Sequence, residues 1–287
     1  MGHEAFDEVV ALLRLEPLGE DRYRGGVPEV GGDNPWSLYG GHLIGQTLAA
    51  ACATVESNRP VASLHAYFLR AGDPGQPVDF DVERTRDGAS FSHRRVCASQ
   101  GGRTVFELTA SFQLLEDGRS FDTPAPDGVP EPESLVGFVE LMASHETPPF
   151  DTYWTTKPRP MDLRYVHAPW AAAGPTEAHG IRAWYRAWGP LGEDPHLHAC
   201  FLAYNSDESI SDNALVPHDV TWTDEGLVVA SLDHAMWFHR PFRADDWLLV
   251  DQYPIATAHG RGLALGRVWD RAGRLVATMT QDVLMRV

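Results

Sequence analysis

The sequence is short of cysteine and of basic side chains, and each shortage excludes a class of protein. Its 287 residues include three cysteines, Cys52, Cys97 and Cys200, with no CxxC spacing. An odd and scattered set of this kind argues against a disulfide framework and against a zinc ribbon. Lys and Arg number 23 against 40 Asp and Glu, a formal net charge of −17. Because nucleic-acid affinity comes largely from basic groups that neutralise phosphates, we expect no nucleic-acid partner.

Long apolar runs and several familiar loop motifs are absent too. No stretch reaches the roughly 20 apolar residues of a membrane span, and the N-terminal residues lack the apolar centre of a signal peptide. We therefore expect a cytoplasmic protein without a membrane span. No GxSxG elbow occurs, which disfavours an α/β-hydrolase serine mechanism, and no GxxxxGKS/T or GxGxxG phosphate loop is present. His196 and His198 have no third ligand nearby, so we expect no metal.

The chain does contain an internal repeat. The segment Ser-Leu-His that starts at Ser63 returns as Ser-Leu-Asp-His at Ser231, and the segment that starts at Gly102 returns at Gly273. The offsets are 168 (231 minus 63) and 171 (273 minus 102). Two similar segments that recur in the same order and at nearly the same offset predict a duplicated module. A solenoid is disfavoured, because it needs several short units. We expect a pseudo-dimer within one chain, with a functional site at the seam.

Periodicity and turn signals give both modules the same order of elements. The first module, residues 1–120, has a central helix from Gly41 rich in Gly and Ala, which predicts burial on most sides, and then a run of antiparallel strands. The linker, residues 121–160, holds eight of the chain's 21 prolines and is predicted to have one short helix. The second module, residues 161–287, has its own central helix at Asp194–Asn205. Its last four strands are predicted at 226–238, 247–257, 262–270 and 275–285.

Several motifs resemble those of the type II acyl-CoA thioesterases, the TesB-like family. They are Tyr39–Leu48, Phe68–Gly72, Arg86–Val96 and Asp233–Phe242. They occur in the order that the family shows, and the resemblance runs from about Leu15 to Arg286. It implies an α+β double hotdog fold, in which two antiparallel sheets each wrap a central helix. It also implies hydrolysis of fatty acyl-CoA to free fatty acid and CoA, with no cofactor and no metal.

The resemblance implies a catalytic group of three side chains, all in the second module: Asp207, Ser231 and Gln281. A carboxylate can accept a proton from water, while a hydroxyl and an amide can hold that water in attacking geometry. The hydroxyl is often Thr in the family and is Ser here, so the oxygen is kept without the methyl group that restricts its rotamer. At the corresponding positions the first module has Ser63 and Ala110, which predicts one active centre per chain.

Six residues are candidates for binding the acyl-CoA substrate: Gly41, His42, His65, Tyr67, Trp237 and Arg94. His65 also competes as a catalytic base, since His titrates near neutral pH, and its repeat partner is His234. Arginines at 70, 94, 95, 240, 243 and 261 are candidate phosphate partners through forked hydrogen bonds. A homo-oligomer, a dimer or a tetramer, is the default expectation.

Two other functions stay open at this level. A non-catalytic acyl-CoA binding or sensing protein could use the same scaffold, because fold does not determine function. A hotdog hydratase is a third possibility, but the chain shows no Asp/His pair at the spacing that such enzymes use.

Overall fold

The computed structural model describes residues 2–28, 37–144, 152–167, 180–218 and 220–286. Within these residues the helices are α1 (Gly2–Leu12), α2 (Gly40–Cys52), α3 (Phe138–Ala143), α4 (Thr152–Thr156) and α5 (Pro195–Asn205). The strands of the first module are β1 (Glu16–Gly19), β2 (Arg22–Gly25), β3 (Val61–Phe68), β4 (Val78–Asp87), β5 (Phe91–Gln100) and β6 (Arg103–Gln113). Those of the second module are β7 (Met161–His167), β8 (Arg182–Ala187), β9 (Val228–Ser231), β10 (Asp233–Phe238), β11 (Leu248–Ala258), β12 (Arg261–Asp270) and β13 (Leu275–Arg286).

All thirteen strands belong to one antiparallel sheet. Its order is β1-β2-β4-β5-β6-β3-β10-β13-β12-β11-β8-β7, with β9 pairing β13. Each module supplies one half, and the halves meet where β3 pairs with β10, with Tyr67 opposite Asp233. The two expected sheets therefore join into one, because each module would otherwise leave the backbone of an edge strand unpaired.

The two central helices α2 and α5 lie against each other inside this sheet. Nearly every residue of both helices is buried. A Cβ added to Gly41 would overlap the carbonyl oxygen of Tyr204, so this position needs glycine for the helices to approach. Cys52 of α2 and Cys200 of α5 meet at the same interface with their sulfur atoms 3.9 Å apart, and both thiols are free. No helix in the described part of the chain is long and apolar enough to cross a membrane.

The strand expected at 226–238 is interrupted. It consists of β9 and β10, which are separated by Leu232. Leu232 still donates its N–H to Asp282 of β13 (2.9 Å) and accepts from Phe68 of β3 (3.0 Å). The interruption lets β9 pair with β13 alone, while β10 pairs with both β13 and β3.

The ladder register corrects the repeat alignment. The offset of 171 matches Phe112 of β6 to Val283 of β13; Phe112 faces Val61, whereas Val283 faces Ser231. The structural counterpart of Ser231 is therefore Val61, and the expected match to Ser63 is wrong. By the same register His65 faces Thr109 as Ala235 faces Thr280, so His65 does not correspond to His234. Val61 and Ser231 are 170 residues apart (231 minus 61), as are His65 and Ala235 (235 minus 65), so the two modules align here without an insertion.

The linker contacts residues that flank the two central helices. It contains a 3-10 turn at Pro132–Ser134 together with α3 and α4, one helix more than the sequence predicted. Lys157, the only lysine of the chain, places its ammonium 4.6 Å from the ring centre of Tyr39, just before α2. Arg159 forms a buried ion pair with Glu208, just after α5. The linker is thus tied to both modules beside the seam.

Candidate active site

A cavity of about 410 Å³ lies at the seam, where the start of α2 faces the loop after α5. Its wall combines apolar side chains from both modules and the linker with a few polar groups. The apolar part includes Leu38, Leu43, Phe68, Phe138, Trp154, Tyr165, Trp222 and Leu232. The polar part includes Arg70, Arg159, Asp207, Glu208, Ser211, Asp212 and Ser231. A concave, largely apolar space with a few polar groups is typical of a small-molecule site.

Asp207 follows the end of α5 and reaches across the seam. Its Oδ2 accepts the backbone N–H of Gly41 in α2 (3.1 Å). Burial raises the pKa of Asp207 to about 6, and hydrogen bonds from Gln281 and Gly41 limit that rise. The carboxyl group is therefore mainly ionised at neutral pH but close to its titration range, as a general base requires.

Gln281 connects Asp207 with two hydroxyl groups. It lies within β13 and is fully buried. Its Nε2 is 2.7 Å from Asp207 Oδ1, 2.9 Å from Ser231 Oγ and 2.8 Å from Ser211 Oγ. Ser231, the last residue of β9, also donates its hydroxyl to Asp207 Oδ1 over 3.5 Å. The three side chains named by the family resemblance thus lie together: Asp207 and Ser231 line the cavity, and Gln281 is buried in contact with both.

Two further acids stand near Asp207. Glu208 is neutralised by its ion pair with Arg159, whose guanidinium also lies 3.8 Å from the ring centre of Phe138. Asp212 accepts the indole N–H of Trp222 (2.9 Å). Burial raises the pKa of Asp212 to about 8, so this carboxyl group is mostly protonated at neutral pH. Of these three acids, Asp207 is the one that accepts hydrogen bonds from both the amide of Gln281 and the hydroxyl of Ser231.

Comparison with known proteins gives the same family as the motifs. Residues 159–284 match the family described as acyl-CoA thioesterase, and residues 33–113 match its N-terminal domain. Acyl-coenzyme A thioesterase 8 of Rattus norvegicus is 39% identical over 97% of this chain and 88% of its own length. The chain belongs to the acyl-CoA thioesterase family. Acyl-CoA thioesterase 2 of Haemophilus influenzae is 32% identical over 99% of this chain and 98% of its own.

A solved structure supports the fold as well. The acyl-CoA thioesterase II TesB2 of Mycobacterium marinum superposes with a TM-score of 0.78 at 40% identity, covering 98% of each chain. The expected resemblance and the double hotdog fold are thereby confirmed, and so is the enzyme class, a thioester hydrolase.

Several residues that the sequence suggested for substrate binding lie away from this thioesterase's cavity. His65, Tyr67 and Trp237 point outward from β3 and β10, where the His65 and Trp237 rings meet edge to face with centroids 5.2 Å apart. His42 is fully buried in α2, and burial lowers its pKa to about 4. Gly41 donates its backbone N–H to Asp207, and its neighbour Gly40 lines the cavity.

Arg94 is buried in the first module instead of reaching the cavity. It is 1% exposed, pairs with Asp87 (2.7 Å) and donates to the hydroxyl of Thr54 (2.7 Å). Arg94 faces Ala110 in the ladder, just as Ala264 faces Gln281 in the second module. The guanidinium therefore lies in the first module beside the position that matches Gln281. This packing leaves the first module without an equivalent polar site.

The other candidate phosphate partners are mostly paired with acids. Arg95, Arg240, Arg243 and Arg261 form ion pairs with Glu107, Asp122, Asp245 and Asp282. Arg70 lines the cavity and is exposed, and its guanidinium donates to the backbone carbonyl of Thr104 (2.6 Å). Within the described ranges no cluster of three or more His, Cys, Asp or Glu side chains is placed to hold a metal.

Sequence reasoning missed the contribution of the linker and of two segments of the second module. Phe138, Trp154 and Arg159 come from the proline-rich linker, Trp222 comes from a loop of the second module, and Ser211 begins a 3-10 turn there. Two separate aromatic residues in a linker, Phe138 and Trp154, are a weak signal, because single exposed aromatics are common on surfaces. Only the tertiary contacts identify these residues as cavity wall.

Proposed function

We propose that this thioesterase hydrolyses fatty acyl-CoA to free fatty acid and CoA with a water molecule held by Asp207, Ser231 and Gln281. The observation that carries the proposal is their convergence: the Gln281 amide nitrogen lies 2.7 Å from Asp207 and 2.9 Å from Ser231, although the three come from a loop and two strands. We place the chemistry in the second module, with the first module and the linker as walls.

In the proposed reaction the water oxygen attacks the thioester carbonyl carbon, and its proton moves to the carboxylate of Asp207. The tetrahedral intermediate then expels the sulfur of CoA, and the proton held by Asp207 neutralises that thiolate. Acyl-CoA and water thus become a fatty acid and CoA with no other reactant. A carboxylate whose pKa is raised to about 6 suits this cycle, because it can both accept and return a proton near neutrality.

Ser231 and Gln281 orient the water rather than the substrate. The amide donates, the hydroxyl both donates and accepts, and together they restrict the water to one attacking direction. The positive end of α2, which already donates to Asp207 through Gly41, adds favourable potential for the negative charge that develops at the carbonyl oxygen.

The acyl chain fits the apolar side of the cavity, against Leu43, Phe68 and Phe138. Arg70 stands exposed at the same cavity and is our candidate for contact with the phosphates of CoA. The cytoplasmic location, the homo-oligomer and the module boundaries at 120 and 160 stay predictions from the sequence.

A CoA-release assay with acyl chains of graded length tests the proposal. We expect the wild-type protein to release CoA. In Asp207→Asn, kcat should fall roughly a hundredfold or more, because the amide keeps the shape of the carboxyl group but cannot take the proton. Asp79→Asn, in an exposed ion pair with Arg24, is the matched control and should keep wild-type turnover. Near-normal kcat in Asp207→Asn would remove Asp207 from its role. Tight acyl-CoA binding without CoA release by the wild type would instead indicate a sensor.

A further inference from the structure

His234 lies directly behind Gln281 and takes no part in the mechanism described so far. It belongs to β10 and is fully buried, and it immediately precedes Ala235, which faces Thr280 of β13. Its Nδ1 contacts Gln281 Oε1, and its Nε2 lies 2.9 Å from the hydroxyl of Ser206. Ser206 ends α5 and immediately precedes Asp207. A closed chain of hydrogen bonds therefore runs from Ser206 through His234 and Gln281 back to Asp207.

We propose that His234 is a positioning residue whose ring tautomer holds the Gln281 amide with its nitrogen toward Asp207 and Ser231. The inference rests on the proposed catalytic role of Gln281. An ionised carboxylate only accepts hydrogen bonds, so Gln281 must present Nε2 to Asp207. Its Oε1 then faces His234, and because an amide oxygen only accepts, Nδ1 of His234 must carry a hydrogen.

The other ring nitrogen completes the assignment. Burial lowers the pKa of His234 to about 4, so the ring is neutral at neutral pH and has a single N–H. With that hydrogen on Nδ1, Nε2 is an acceptor and needs a donor. The hydroxyl of Ser206 lies within reach of both Nε2 (2.9 Å) and the carbonyl of Ala203 (2.8 Å). The hydroxyl can donate to either acceptor; with the ring hydrogen on Nδ1 we assign its hydrogen to Nε2, because Ser206 is the one side-chain donor described at that nitrogen.

The opposite arrangement shows what His234 prevents. With the hydrogen on Nε2, the Nδ1 lone pair would face Gln281 Oε1, and the amide would turn to relieve that repulsion. Its oxygen would then face Asp207 Oδ1 at 2.7 Å, acceptor against acceptor. The amide could no longer donate to Ser231 or to the attacking water. The tautomer of His234, which does not touch the substrate, thus determines whether the nitrogen or the oxygen of the Gln281 amide faces Asp207.

A pair of nearly isosteric variants separates positioning from packing. In His234→Asn the amide nitrogen is one atom removed from Cβ, as Nδ1 is in His, and it can donate to Gln281. In His234→Leu a methyl group takes that place. We expect kcat to fall at least about tenfold in His234→Leu with KM little changed, and to stay within about threefold of wild type in His234→Asn. A packing role predicts the reverse order, because leucine suits a buried apolar position better than asparagine.

The tautomer itself can be read without activity. Nitrogen NMR of protein labelled at histidine distinguishes the protonated from the unprotonated ring nitrogen, and the His234 signals are those absent from His234→Asn. We expect the hydrogen on Nδ1 in the wild type, and a fall in kcat in Ser206→Ala, in which Nε2 loses its donor. Hydrogen on Nε2 in the wild type, or an activity order with leucine above asparagine, would overturn the inference.

These outcomes are separable from a failure of the proposed function. If Gln281→Ala keeps wild-type turnover, the role of Gln281 in catalysis is refuted, whatever the tautomer. If Gln281→Ala loses turnover while His234→Leu keeps it, only the role of His234 is refuted. Should His234→Leu fail to fold, Ser206→Ala and the NMR assignment still decide the question.

Discussion

The backbone N–H of Gly41 donates to Asp207 Oδ2 over 3.1 Å, so a helix of the first module holds a carboxylate of the second. The neighbouring Gly40 lies so close that an added Cβ would be 2.5 Å from the same oxygen. The partial positive charge at the start of α2 stabilises the ionised form of Asp207 there. The proposed base therefore belongs to the seam, and neither module alone contains the complete site.

The pH dependence of turnover should report Asp207. Its pKa is raised from 3.8 to about 6 by burial, so we expect kcat to fall as the pH drops through about 6. Stability should move the other way: the folded state holds this proton more tightly than the unfolded chain, so the contribution of Asp207 to the free energy of unfolding declines as the pH rises from about 4 to about 6.

Asp207→Asn provides the control for both halves of this prediction. The variant should be more stable relative to wild type at about pH 7 than at about pH 4, because its amide never ionises. Kinetic profiles and urea unfolding from about pH 4 to about pH 8 give the measurement. If kcat instead fell only at about pH 4, the pKa of an ordinary carboxyl group, the assignment to Asp207 would be contradicted.

The hydroxyl of Ser231 should matter more than the size of its side chain. We expect Ser231→Ala to lower kcat by roughly ten- to a hundredfold with little change in KM, since the hydroxyl holds water in the transition state. Ser231→Thr keeps the oxygen and should stay within about fivefold of wild type. Ser63→Ala, on strand β3, is the control and should have no effect. A change confined to KM in Ser231→Ala would reassign the residue to the cavity wall.

A methyl group at Gly41 should disturb both folding and the site. In Gly41→Ala the new Cβ meets the backbone of Tyr204, which cannot turn aside, so the two central helices must separate. We expect a loss of at least about 1–3 kcal/mol in the free energy of unfolding, together with lower kcat. Gly118→Ala, where the added Cβ meets no atom within 4 Å, is the matched control. Equal stability of the two variants by thermal unfolding would show that the helices are not packed this closely.

One active centre per chain is expected from the asymmetry of the modules. The first-module counterparts of Ser231 and Gln281 are Val61 and Ala110, and the adjacent space is taken by Arg94. Titration with a tightly bound, slowly hydrolysed substrate analogue should therefore give a stoichiometry of about one per chain. Two equivalent sites, or loss of turnover in a soundly folded Ser63→Ala, would refute this asymmetry.

The sequence alone determined the elements and the family. Gly and Ala along residues 40–52 predicted a buried helix, and the pair Gly101-Gly102, typical of a tight hairpin, joins β5 to β6 with both glycines at positive φ (+54° and +76°). These features are local: backbone preference and side-chain period act over a few residues, so they can be read directly from the chain. The motifs added the identities of Asp207, Ser231 and Gln281, which no spacing rule would have singled out.

Tertiary structure decided which face of each strand meets the substrate and which residues meet across the seam. Alternation shows that His65 and Tyr67 share one face of β3, but not that this face points away from α2. The strand pairing also decided that Val61, and not Ser63, corresponds to Ser231, because a short shared Ser-Leu motif does not fix the register. Likewise, the contacts of Gly41 with Asp207, and of His234 with Gln281, depend on packing between segments 166 and 47 residues apart. Such contacts arise only when both helices and both halves of the sheet are assembled.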